Sequence, residues 1–172
     1  MASHRPVEIV AAGHVCLDVI PKFLGDQLPP PGALAEVGPV TVSTGGSVSN
    51  TGIALHRLGL GVRLVGRVGD DAFGREVRRL YDAAGEGLSA GLETAADAPT
   101  SYTVVVNPIG EDRRFLHCPG ANATFRAAHV PDSCLLEERI ELEELGRIRR
   151  EWESFHACLR GFEFRRGRHE SA

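Results

Sequence analysis

Lysine is almost missing from this sequence: Lys22 stands alone, and every other basic side chain that is not histidine is arginine. The bias reads as the mark of a GC-rich genome rather than as a binding surface. The net charge is −4, with acidic and basic residues mixed along the chain. A nucleic-acid or membrane-surface partner needs clustered positive charge, so neither is expected. The four cysteines (Cys16, Cys118, Cys134, Cys158) form no Cys-x-x-Cys pair and keep no zinc-type spacing with a histidine. His117 and Cys118 are neighbours on an expected strand, so they point to opposite faces and cannot hold one ion together. Idle thiols in a reducing compartment are the simpler account. No apolar run approaches the roughly eighteen residues of a membrane span, and no N-terminal stretch has the order of a signal peptide, so a cytoplasmic protein is expected. Also missing are Gly-x-x-x-x-Gly-Lys, a Gly-x-Gly-x-x-Gly at a strand-to-helix corner, and Gly-x-Ser-x-Gly. Those absences argue against a P-loop nucleotidase, a dinucleotide enzyme and an α/β-hydrolase.

What is present centres on Thr44-Gly45-Gly46-Ser47-Val48-Ser49-Asn50. The β-rich residues Val40, Thr41 and Val42 deliver the chain to two glycines, and Ser47 is placed to cap a helix whose first turn carries Asn50. Paired glycines at such a corner let the backbone take positive φ and let a ligand approach the main chain. The helix start aims unpaired N–H groups and the positive dipole end at the same spot. A tight turn alone would use the same pair.

A chain of 172 residues can bury roughly 70% of its unfolded surface in one domain. Residues 7–12 read as a short buried strand. Asp18 follows at what reads as the strand's carboxyl end, where open α/β sheets place their ligands; a turn or helix cap is the alternative. Residues 21–39 hold five of the ten prolines and show no helical period. They read as an excursion from the core, returning through a strand at 40–44. In the helix after Gly46, Val48, Gly52, Leu55 and Gly59 share one face. A parallel strand at 62–66 completes a right-handed βαβ unit. Asp70-Asp71 opens a helix over 72–84, which Gly85-Glu86-Gly87 ends. Residues 91–99 form a short strand and turn. The runs 100–107 and 113–118 form a hairpin, and Pro119-Gly120-Ala121-Asn122 follows as a turn.

Gly45-Gly46, Asn50, Gly59 and then Gly66-Arg67-Val68-Gly69-Asp70-Asp71-Ala72-Phe73-Gly74 resemble the N-terminal signature of the ribokinase-like (PfkB) sugar kinases. The resemblance covers about residues 7–125. It implies an α/β fold, an incomplete ribokinase-like parallel sheet with flanking helices, plus a small antiparallel β lid drawn from about 20–44 and 100–118. It implies that Asp18, Gly45, Gly46 and Asn50 bind a sugar or nucleoside, with Asn122 joining them unless it is a plain turn residue. It also implies ATP and Mg²⁺ as co-reactants. The family's Gly-x-Gly-Asp, whose aspartate is the general base, is absent from these residues. Asp70 sits in a superficially similar Val-Gly-Asp-Asp but belongs to the N-terminal signature.

The character changes near Val130. From residue 131 to 172, 18 of 42 residues are charged, against 24 of the first 130. Leu145, Ile148, Trp152, Phe155 and Leu159 are spaced as two heptads of an amphipathic helix, a face that either a second copy, making a homodimer, or the incomplete sheet would cover. Residues 164–168 read as disordered and solvated. The expected organisation is residues 1–130 as the sugar-binding side of a ribokinase-like domain and 131–172 as a charged helical tail. Two functions fit: a sugar-kinase portion, truncated or frame-shifted near Val130 and inactive by itself, or a non-catalytic sugar-binding or protein-interaction module that uses the tail.

Overall fold

A computed structural model describes residues 7–132. The apolar run Ile-Val-Ala-Ala forms β1 (Ile9–Ala12), which pairs in parallel with β4 (Val62–Gly69). β4 pairs in parallel with β5 (Leu92–Ala95) on its other edge. From Leu64 to Gly69 every residue of β4 is buried, as a central strand covered on both faces must be. Two helices pack with it, α1 (Gly46–Arg57) and α2 (Ala72–Ala84). α1 buries Val48, Ser49 and Gly52; a Cβ on Gly52 would run into the Leu64 side chain, so this glycine sets how closely α1 approaches β4. The helix ends two residues short of Gly59, which takes φ +92° in the turn beyond instead of extending the helical face. α2 has the bounds its pattern predicts, with Gly74, Val77 and Tyr81 buried at spacings of three and four. Val15, Leu17, Val68, Leu88 and Leu92 join these residues in one core.

The second sheet differs from expectation in one strand. Its order is β3-β2-β6-β7, built from β2 (Cys16–Phe23), β3 (Val37–Gly45), β6 (Tyr102–Val106) and β7 (Arg114–Cys118). The β6–β7 hairpin is antiparallel, and so is the β2–β3 pair. β2 lies between β3 and β6, however, and pairs with β6 in parallel. The hairpin runs therefore pair as read, but the strand at 40–44 reaches them only through β2. β2 is not legible in the sequence because Pro21 stands inside it. The proline is tolerated because β6 pairs only with Leu17, Asp18 and Val19, leaving Pro21 past the end of that ladder and beside a register shift in the β3 pairing. The amphipathic face around Trp152, the tail helix and the solvated end at 164–168 lie outside the described residues.

Candidate substrate site at the glycine corner

The site starts where β3 runs straight into α1. Gly45 closes the strand and serves as the helix N-cap, and Gly46 begins the helix with φ +88°. Gly46 needs to be glycine twice over: its φ lies in the left-handed region, and a Cβ would strike the His14 carbonyl. Gly45 has an ordinary extended φ of −126°, so its requirement is space alone. A Cβ there would fall on the Asp18 carboxylate, which sits directly over the Gly45 backbone.

Ser47 does not cap the helix: no side chain does, and the Val48 N–H is satisfied by the His14 carbonyl at 3.1 Å. The serine that matters is Ser49, fully buried. Its hydroxyl donates to the Gly45 carbonyl at 2.7 Å and accepts from the Tyr81 hydroxyl at 2.8 Å. Burial pushes the Tyr81 phenol up to about 12, so it stays a donor. A relay from α2 through α1 thus fixes the corner from behind.

Asp18 does not follow the end of a core strand, as the sequence suggested. It lies inside β2, opposite Ser43 on β3 and Thr103 on β6. Because directly opposed strand residues share a face, that face gathers Cys16, Asp18, Ser43, Gly45, Thr103 and His117. The Thr103 hydroxyl lies 3.1 Å from Cys16 Sγ and 3.0 Å from His117 Nδ1, and the His14 and His117 rings meet edge to face at 5.5 Å between centroids. Partial burial and the neighbouring His117 lower the His14 pKa, against the pull of Asp18, so His14 is neutral at neutral pH. Burial pushes the Cys16 thiol up, which makes it a poor nucleophile. A carboxylate among hydroxyls and a neutral imidazole is suited to accepting hydrogen bonds from ligand hydroxyls.

Asn50 is one turn into α1 on the same side as Gly46, with its side chain in solvent. Asn122, in the 3₁₀ turn Gly120–Thr124, spans the chain instead. Its Oδ1 accepts from the Val15 N–H at 3.1 Å and its Nδ2 donates to the Val15 carbonyl at 2.8 Å. One donor hydrogen and one lone pair of that amide remain. The structure seats Asp18 against Gly45, whose neighbour Gly46 lies against the His14 carbonyl, with Asn50 one turn away and Asn122 tied to the segment just before β2.

Two further parts of the signature hold the frame. Asp71 caps α2 by accepting from the Gly74 N–H at 2.7 Å, and it also accepts from the Thr100 N–H and hydroxyl, each at 2.7 Å. Burial would raise its pKa, but the hydrogen bonds from Thr100 and Gly74 outweigh that and hold the carboxyl below the usual range. Arg67, nearly buried in β4, reaches the Thr124 hydroxyl and pairs with Asp97 at 3.6 Å. Its Nε lies 3.3 Å from Glu93 without hydrogen-bond geometry. Sequence reasoning missed the grouping of His14, Cys16, Thr103 and His117. The signal was the i, i+2 spacing of His14 and Cys16, legible only once β2 is known to be a strand.

These features define an α/β protein of the ribokinase-like fold. A ribokinase from Giardia lamblia superposes with a TM-score of 0.64 at 24% identity, covering 74% of this chain and 40% of that one. A fructokinase from Xylella fastidiosa gives 0.57 at 26%, over 73% of this chain and 37% of that one. The profile of the pfkB family carbohydrate kinases matches residues 7–147, and the chain belongs to that family. It is 28% identical over 140 residues to fructokinase-1 of Oryza sativa, covering 81% of this chain and 41% of that protein. It is 38% identical over 105 residues to an ATP-dependent ribose-1-phosphate kinase of Halopiger xanaduensis, covering 61% of this chain and 35% of that protein. The chain thus spans about two fifths of the length of the relatives it matches.

Proposed function

We propose that this chain is the substrate-recognition side of an ATP-dependent sugar or nucleoside kinase. Asp18 grips ligand hydroxyls, the Gly45-Gly46 corner lets the ligand reach the main chain, and Asn50 supplies a second polar contact. Asn122 contributes by fixing Val15, with its remaining amide hydrogen available to the ligand. The observation that carries this reading is the seating of the Asp18 carboxylate against a glycine that tolerates no Cβ. An ionised carboxylate can accept from two neighbouring hydroxyls, and such charged hydrogen bonds contribute about 1.5–3 kcal/mol each.

The acidic cleft at the start of α2 offers nothing to a nucleotide. The cleft lined by Asp70, Asp71 and residues 95–99 carries the carboxylates of Asp70, Asp71 and Asp97 and no basic side chain, the wrong sign for a polyphosphate. Phosphoryl transfer depends on holding the nucleotide and neutralising the moving phosphate, usually with Mg²⁺. The sequence also has no Gly-x-Gly-Asp to supply the base. We therefore assign this chain substrate binding without turnover by itself. The free thiols Cys16 and Cys118 suit a reducing cytoplasm, and no helix among the described residues is long and apolar enough to cross a membrane. The test is ADP release from ATP and Mg²⁺ with a panel of pentoses, hexoses and nucleosides. No turnover above background is expected. Turnover on the order of 1 s⁻¹, as for ordinary kinases, that disappears in Asp18→Ala would overturn the reading.

A further inference from the structure

The side-chain cluster beside Asp18 has a second chemistry that sugar binding does not use. His14 and Cys16 leave the β1–β2 connection and the start of β2 two positions apart, and His117 comes from β7, a hundred residues later. One ligand atom from each of the three lies within 4.8 Å of the others. We propose that His14, Cys16 and His117 form a binding site for a late first-row divalent cation, with Zn²⁺ the best match.

The donor set decides the class of ion. Two imidazole nitrogens and one thiolate are borderline-to-soft ligands, preferred by Zn²⁺ and its neighbours, whereas Mg²⁺ and Ca²⁺ take oxygen. Tetrahedral zinc with Zn–N near 2.0–2.1 Å and Zn–S near 2.3 Å sets its ligand atoms roughly 3.5 Å apart. The cluster must therefore close by about 1 Å, measured against its present 4.8 Å limit. Both imidazoles are exposed and can swing, while Cys16 is fixed in the core at 2% exposure. Closure moves the two rings and leaves the backbone in place.

Thr103 provides the outer support such a site needs. Its hydroxyl lies between Cys16 Sγ and His117 Nδ1, at 3.1 and 3.0 Å, and so orients two of the three ligands at once. Three protein ligands leave a fourth tetrahedral position, and the exposure of both histidines puts it on the solvent side. That is the arrangement of a site that exchanges its fourth ligand, not of a closed structural one. Cys118 follows His117 on β7 and points to the opposite face, so it takes no part.

The experiment titrates the full chain with Zn²⁺ by calorimetry, and with Co²⁺ by absorption spectroscopy, where thiolate ligation gives an intense near-ultraviolet charge-transfer band. Binding of one equivalent with that band is expected. Cys16→Ser should abolish the band, and His14→Gln and His117→Gln should each weaken Zn²⁺ binding by at least tenfold. Thr103→Val should weaken it by roughly 10–100-fold, as loss of an outer partner does, and Cys118→Ser should change nothing. Should Cys16→Ser fail to fold, the double variant His14→Gln/His117→Gln decides, since both side chains are exposed. A charge-transfer band that survives Cys16→Ser, or Zn²⁺ binding unchanged in the double histidine variant, would overturn the proposal. Neither readout involves a sugar, so the result stands apart from the substrate assignment.

Discussion

Replacing Asn122 with alanine should unfold this protein more readily than its place in a surface turn suggests. Val15 is fully buried, and its N–H and carbonyl are both met by the Asn122 amide, at 3.1 and 2.8 Å. Truncation leaves two buried main-chain groups unpaired, at about 1–3 kcal/mol each. Allowing for partial repair by water, the loss should be about 2–5 kcal/mol, which for a chain of this size lowers the midpoint by roughly 5–15 °C. Urea denaturation followed by circular dichroism measures it directly. Asn122→Asp sharpens the test. It keeps an acceptor for the Val15 N–H but sets a carboxylate oxygen against the Val15 carbonyl. Its deficit should therefore shrink as the pH falls and the carboxyl gains a proton to donate. If both variants stay within about 0.5 kcal/mol of the parent, the scatter expected of neutral surface changes, the clamp is not what holds the turn to Val15.

Three other outcomes follow from the same contacts. Asp71→Ala removes the α2 cap and the partner of the buried Thr100 N–H, and should cost about 2–4 kcal/mol in the same denaturation assay. Because the folded state holds the Asp71 carboxyl below its ordinary value, its contribution is present above the unfolded carboxyl pKa and is lost as the pH falls through the folded one; acid titrations of Asp71→Asn should lack that component. Tyr81→Phe deletes the donor to Ser49 and should cost about 1 kcal/mol while leaving the fold unchanged by circular dichroism. Gly45→Ala drives a methyl group onto the Asp18 carboxylate, so it should weaken sugar binding by tenfold or more in calorimetry, with a smaller loss of stability.

The parts of the fold that were legible in the sequence are those set by local chemistry. α2 is bracketed by Asp71 at its start and Gly85 at its end, and the β6–β7 hairpin by the runs 100–107 and 113–118. β2 was not legible, because Pro21 argues against a strand and only the short reach of β6 makes it harmless. Missing β2 had two consequences at the site. Without β2, Asp18 reads as following a core strand, whereas it lies within a second sheet. For His117 the sequence offers only its neighbour Cys118, whereas its partners His14 and Cys16 come from the other end of the chain. Asn122 is legible as a turn residue, but its hold on Val15 depends on a contact 107 positions away, which spacing cannot reveal.

The central claim is that Asp18 grips a ligand's hydroxyls at the glycine corner. Calorimetric titration of the purified chain with a panel of ribose, fructose and adenosine, beside Asp18→Ala, tests it most directly. At least one member of the panel should bind with one-to-one stoichiometry. The variant, shown to be folded by circular dichroism, should bind that ligand at least tenfold more weakly, the size expected from losing one or two charged hydrogen bonds. Affinity unchanged in Asp18→Ala, or no binding by any member of the panel to the folded parent, would contradict it.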